Sequence, residues 1–158
     1  SLWMKRALWI TFRFVREPGV SGRRSVGGTR HGRGMNTPPR MTRAEIGALG
    51  EQLAVDHLAT LGMTVLARNW RCRWGELDII ATETDRSALV FVEVKTRTTN
   101  EFGGIEEAVT PEKARRLRRL ASVWLSEQEV HWPGIRIDVI GVRLGGRQPE
   151  LVHLKGIG

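Results

Sequence analysis

The stretch from Gly75 to Arg97 constrains this chain more than any other: GELDIIA, a polar break TETDRS, then ALVFVEVKTR. Its acidic residues lie inside β-rich apolar runs, where solvation alone would not put them. Read as a strand, Glu76, Asp78 and Ile80 share one face, and Leu77 and Ile79 the other. In the second run Leu89, Phe91, Glu93 and Lys95 share a face. Val90, Val92 and Val94 fill the opposite one, which is the pattern of a strand inside a sheet covered on both sides.

The break Glu83 to Ser87 is rich in turn formers, so an antiparallel hairpin centred near Asp85 and Arg86 is the simplest connection. That register sets Asp78 opposite Glu93 and Glu76 opposite Lys95, with opposed Cβ atoms about 5 Å apart. Two carboxylates so placed repel each other unless a cation intervenes. Mg²⁺ or Mn²⁺ would intervene well, because hard cations take carboxylate oxygens plus water. A neighbouring lysine would then orient or deprotonate the attacking water, or offset charge developing on a phosphate. The plainer alternative pairs Glu76 with Lys95 and Asp78 with a nearby arginine as ordinary cross-strand ion pairs, which are worth little on a wet face. Phe91, Val92 and Val94 weigh against it, since they predict a central strand where an unpartnered charge is costly.

These residues also resemble a known family. GELDIIA followed by LVFVEVKTR is similar to the YraN-like family, assigned to the PD-(D/E)XK, or restriction-endonuclease-like, superfamily. The similarity runs from about Ile46 to Val142 and takes in Gly47 to Glu51, Arg68-Asn69, Phe102-Gly103, and Ala108-Val109 before Lys113. The resemblance implies an α/β fold with a restriction-endonuclease-like core, a mixed central β-sheet flanked by helices. It further implies a metal-dependent endonuclease acting on DNA, with branched substrates suggested by related Holliday-junction resolvases. Asp78 and Glu93 would bind the metal, Lys95 would support the nucleophile, and Glu51, on the margin of the first helix's apolar stripe, would be an additional metal or water ligand. Glu76 is a secondary candidate.

Charge adds less than the total suggests. The chain carries a net +8, but residues 1–43 hold ten Lys/Arg against one acid, +9, and residues 44–158 hold fifteen against sixteen, −1. The basicity therefore belongs to the N-terminal stretch and does not by itself argue for DNA binding by the domain. Residues 1–41 are expected to form a basic, disordered extension and residues 42–158 the endonuclease-like domain. Pro18 to Arg43 is rich in Gly, Arg, Ser, Thr and Pro and nearly devoid of aliphatic residues. Leu2 to Val15 mixes Trp3, Trp9, Phe12 and Phe14 with basic residues, as a membrane-surface or nucleic-acid-binding segment would. Its uncharged run, Ala7 to Phe12, is too short for a transmembrane helix. The preferred expectation is an extension from an upstream start, with Met35 and Met41 as alternative starts. Cys72, the only cysteine, excludes an internal disulfide and fits a reducing cytoplasm. The four histidines lack ligand spacing, and His57 reads as a packed core residue.

Within the domain, Thr42 with Glu45 forms a capping-box start for a helix ending at Leu61 and closed by Gly62, with Ile46, Leu49, Leu53, Ala54, Leu58 and Leu61 buried. Met63 to Ala67 predicts a short strand. Arg68 to Trp74 then reads as a basic, aromatic loop in which Arg68, Arg71 and Arg73 would grip phosphate and Trp74 would stack on an unpaired base. Arg97 continues the Lys95 face toward phosphate, and Asn100 to Gly104 is a glycine-paired loop. Thr110-Pro111 opens a second helix with Ala114, Leu117, Leu120, Ala121, Trp124 and Leu125 inward and Arg115, Arg118 and Arg119 outward. Lys113, in its first turn, either snorkels or leans toward the acidic site. Strands follow over Ile135 to Leu144 and Leu151 to Leu154, with Asp138 read as structural. The competing class is a noncatalytic nucleic-acid-binding or adaptor protein retaining the fold, favoured by the near-neutral domain charge. A resolvase-like enzyme would be a homodimer, but no segment declares an interface.

Overall fold

The computed structural model of the protein describes residues 7–11, 40–98 and 104–157. Helix α1 (Arg43–Thr60) begins as its sequence dictates: Thr42 accepts the Glu45 N–H, and the Glu45 carboxylate accepts the Thr42 N–H. Strands β2 (Thr64–Cys72), β3 (Gly75–Thr82) and β4 (Leu89–Arg97) follow, then a 3₁₀ turn (Ile105–Ala108) and helix α2 (Pro111–Ser126). Strands β5 (Ile135–Arg143) and β6 (Glu150–Leu154) complete a five-stranded mixed sheet. A short strand β1 (Ala7–Thr11) pairs with β6 at its edge, so the spatial order is β1-β6-β5-β4-β3-β2. Only β4 and β5 run parallel, joined through α2; the other neighbours are antiparallel.

Each helix covers one face of the sheet. On one side Leu117, Leu120, Ala121 and Trp124 of α2 pack against Ile80, Leu89, Phe91 and Val139. On the other, Leu53, Ala54 and Leu58 of α1 pack against Ile79, Val90, Val92 and Ile140. This two-sided cover is why β4 reads apolar on both faces. Among the described residues no helix is long and apolar enough to cross a membrane.

Several expectations shift. His57 is buried in α1 as expected, but the buried stripe also holds Gly50, while Leu49 and Leu61 are exposed. Gly50 is buried because the helix crosses β4 there: a Cβ on it would lie 1.8 Å from Thr96 Oγ1. Arg68 to Cys72 is strand rather than loop, since β2 pairs with β3 along its length and leaves only Arg73-Trp74 as the turn. Ala7–Thr11 is a strand within the stretch expected to be disordered. The rest of that expectation, and the paired-glycine loop around Phe102-Gly103, fall outside the described residues.

Candidate active site

The hairpin register is the expected one over four pairs, Ile79 with Val92 through Thr82 with Leu89. The ladder ends one residue before Asp78 and Glu93, so these are not directly opposed, and Glu76 does not pair with Lys95. Two carboxylates in a closed pair would repel; instead the strands part, and Asp78 Oδ2 accepts the backbone N–H of Val94 at 2.7 Å. The neighbouring strand bends at the same level. Asn69, with φ 50°, occupies the register position between the pairs Arg68–Ile79 and Trp70–Leu77. Strand alternation slips there too: Leu77 joins Ile80 on the α2 side instead of sharing a face with Ile79.

The parting opens a cleft of about 630 Å³ that draws on both helical layers. Gly47 and Glu51 of α1 line it from one side and Arg116 of α2 from the other, with Asp78, Glu93, Lys95 and Arg97 between them. Asp78 and Glu93 are buried, at 8% and 5% exposure. Glu93 Oε1 gathers three cations: Lys113 Nζ at 3.3 Å, Lys95 Nζ at 3.4 Å and Arg116 Nη2 at 3.6 Å. Asp78 has no cationic partner among the described residues. Burial pushes its carboxyl up to about 6, the Val94 N–H opposes that rise, and the charges of Glu93, Glu51 and Glu76 add to it. Burial also holds Lys113 below the usual ammonium range, with Lys95 assisting and Glu93 opposing.

Of the residues singled out in the sequence, Glu51, Glu76, Asp78, Glu93, Lys95 and Arg97 share this cleft, and Lys113 reaches it through Glu93. The expected nucleic-acid residues before β3 do not. Arg71 pairs with Glu76 at 2.9 Å, and Arg68 donates to Gln52 of α1 at 3.0 Å. Arg73 and Trp74 form the hairpin turn, with guanidinium carbons of Arg73 and Arg119 at 4.2 and 3.9 Å from the Trp74 ring centroid. Trp74 is thus exposed at the turn with two arginines already against its ring. Arg116 and Arg119 were legible only in part: Arg116 lies three residues, one helical turn, beyond Lys113, which would have placed it on the same face.

Oxygen-rich, carboxylate-based and partly cationic, the cleft suits a hard ion that keeps its water. Mg²⁺ is commonly bound through one or two carboxylates, and the destabilised Asp78 carboxylate offers one. Among the described residues no three His, Cys, Asp or Glu side chains converge closely enough to hold an ion by themselves. Asp78, with Glu93 beside it, is the carboxylate through which such an ion could be held, with water completing its shell.

A second polar cluster lies apart from this cleft. Asp138, fully buried, accepts two N–H bonds from Arg136, one from the Gly156 backbone and one from His153 Nε2. Burial pushes its carboxyl up, but these donors outweigh burial and hold it below its ordinary value. His153 Nδ1 and His57 Nε2 share a hydrogen bond of 3.0 Å whose donor is set by the ring tautomers. His57 Nδ1 is buried without a hydrogen-bond partner among the described residues. Asp138 and His57 accordingly tie β5, β6 and α1 together, in the structural roles their sequence context suggests.

Residues 50–142 match the family described as "Uncharacterised protein family UPF0102". The chain is 64% identical to a UPF0102 protein of Mycolicibacterium smegmatis over 119 residues, 75% of this chain and 96% of that protein. It is 58% identical to a UPF0102 protein of Mycobacterium tuberculosis over 128 residues, 78% of this chain and all of that protein. It is likewise similar to a UPF0102 protein of Mycobacterium avium, at 62% over 125 residues, 78% of this chain and 98% of that protein.

Proposed function

Taking as premise that this chain belongs to the uncharacterised protein family UPF0102, we propose that it is a metal-dependent endonuclease of the PD-(D/E)XK type acting on DNA, with branched or structured DNA as its candidate substrate. One observation carries this reading: a buried aspartate and a buried glutamate face a lysine-bordered cleft at the point where β3 and β4 separate. A buried carboxylate left without a cation is costly, and its persistence beside three other acids is what a site built for a cation and a phosphate requires.

Asp78 and Glu93 would hold Mg²⁺ or Mn²⁺, with Glu51 as a further water or metal ligand. A bound ion of this kind supplies Lewis acidity toward a phosphoryl oxygen and an acidified water. The chain's own residues do the rest. Lys95, partly exposed and 3.4 Å from Glu93, orients the attacking water and offsets charge on the phosphate. Lys113 and Arg116 approach the same carboxylate from α2 and keep the cleft cationic on the side from which a phosphate would enter. Val94 N–H fixes the Asp78 carboxylate against the β4 backbone, so its orientation is set before substrate arrives.

The second reading, a noncatalytic nucleic-acid-binding or adaptor protein, gains from one observation: Glu93 Oε1 is already engaged by three cations. A cleavage panel of single-stranded, duplex, flap and four-way DNA, plus RNA, with Mg²⁺ or Mn²⁺ separates the two. Wild-type cleavage lost in folded Asp78→Ala and Lys95→Ala supports the nuclease. Cleavage retained by both variants removes the assigned site. Binding of nucleic acid with no uptake of either metal by calorimetry favours the adaptor.

A further inference from the structure

A second, smaller cleft of about 280 Å³ lies between the β2–β3 turn and helix α2, lined by Trp74, Glu112, Arg115, Arg116, Arg119 and Leu120. Arg116 borders both this cleft and the acidic one. The turn comes close to α2 because Gly75 adopts φ +140°, and a Cβ there would lie 3.4 Å from Arg116 Nη1. Glu112 is the cleft's one acid, and it pairs with Arg115 at 3.4 Å. Among the described residues neither Arg73 nor Arg119 lies within ion-pair distance of a carboxylate; both instead set their guanidinium carbons over the Trp74 ring.

That stacking has a chemical consequence. A guanidinium lying on an aromatic ring uses its face for the ring and keeps its N–H edges for a planar or tetrahedral oxyanion. The ring also restricts the side chain before any ligand arrives, which lowers the ordering cost of binding. A base stacking on Trp74 would have to displace a guanidinium, whereas a phosphate would meet the arginines as they stand.

We infer that this cleft is a second anion subsite, in which Arg119, held by Trp74, seats a backbone phosphate of the nucleic acid, with Arg73 on the same ring beside the cleft and Arg116 linking that phosphate to the one in the acidic cleft. The inference rests on the nuclease reading for the identity of the strand. It assigns the strand a path from Asp78 and Glu93, past Arg116, and over the turn.

The test is equilibrium binding by fluorescence anisotropy, using fluorescein-labelled single-stranded, duplex and four-way DNA in EDTA across a salt series. Wild-type affinity is expected to fall with salt. Arg73→Gln and Arg119→Gln are each expected to weaken binding severalfold and to reduce the slope of log K against log salt by about one. Arg118→Gln, on the same helix but outside the cleft, is expected to leave the slope unchanged. All three positions are exposed, and a circular dichroism melt checks folding. Wild-type slopes in both Arg73→Gln and Arg119→Gln, or an equal loss in Arg118→Gln, overturn the subsite. Loss of slope in these two variants together with no metal-dependent cleavage by wild type keeps the phosphate seat and overturns the nuclease reading alone. Failure of wild type to bind any of the three DNAs overturns the subsite, while the nuclease reading stands or falls by the cleavage panel with Mg²⁺ or Mn²⁺.

Discussion

Asp78 Oδ2 accepts the Val94 N–H at 2.7 Å across the point where their strands stop pairing. The side chain thus takes the place of a ladder acceptor, and a carboxylate is held where burial works against its charge.

Asp78 should therefore cost stability. Its folded value, raised from 3.8 to about 6, means that the native state binds more protons than the unfolded chain between these values. Stability is then highest below about pH 4 and declines as pH rises to about 6, by something on the order of 2–3 kcal/mol. Asp78→Asn removes that penalty and keeps an acceptor for Val94. Urea unfolding at pH 7 is expected to find the variant more stable by about 1–2 kcal/mol; equal or lower stability would show that Asp78 is not destabilised in the native protein.

His57 works in the opposite direction. Burial first, then His153 and Lys155, lower it from 6.5 to about 4. Here the unfolded chain binds the extra proton, so the stabilisation is complete above about pH 6.5 and is lost as pH falls toward 4, again on the order of a few kcal/mol. His57→Gln keeps an amide that can donate or accept toward His153 but does not titrate. Between pH 4 and 6 the two groups oppose each other in the wild type. Asp78→Asn should then gain stability with rising pH and His57→Gln should lose it, and parallel slopes in the two variants would contradict the assignment.

Glu93 is the anchor for Lys95, Lys113 and Arg116. Glu93→Gln leaves three cations around a neutral amide, and the expected cost is about 1–2 kcal/mol, below that of a fully buried pair because Lys95 and Arg116 are partly exposed. Adding Lys113→Met should recover part of it. A double-mutant cycle by urea denaturation that found strict additivity would mean that Glu93 and Lys113 do not interact.

Gly50→Ala should force α1 off β4, since the added Cβ would lie 1.8 Å from Thr96 Oγ1. A loss of about 2–3 kcal/mol is expected, as for other overpacked contacts, with partial recovery in Gly50→Ala/Thr96→Ala. Thermal melts of the two proteins check this. A Gly50→Ala protein as stable as wild type would mean the helix shifts freely.

The residues that bear charge inside apolar runs were the legible part of the site. Asp78, Glu93 and Lys95 stand out because their neighbours predict burial, and the turn chemistry of Glu83 to Ser87 set the register that four strand pairs keep. The parting beyond Ile79 and Val92 left no mark in the pattern, because alternation continues in the letters after the ladder has ended. Trp74 was readable as aromatic and basic company but not as the ring beneath Arg119, a contact between residues far apart in the chain. The stripe of α1 was misjudged for another reason: Gly50 stands at helical spacing from Leu53, Ala54, His57 and Leu58, but a residue without a side chain does not mark an apolar face.

Among the described residues strand β2 ends the sheet, and half of its backbone hydrogen-bonding groups face no neighbouring strand there. Such a border invites pairing with another molecule. This one is unsuited to it: a register shift between Val65 and Ala67 breaks its line, Asn69 bends it with φ 50°, and the exposed Arg68 and Arg71 place charge along it. The same bend that accompanies the separation of Asp78 from β4 thus also protects the protein from adding strands at its margin, so a substitution that straightened Asn69 would be felt first as aggregation.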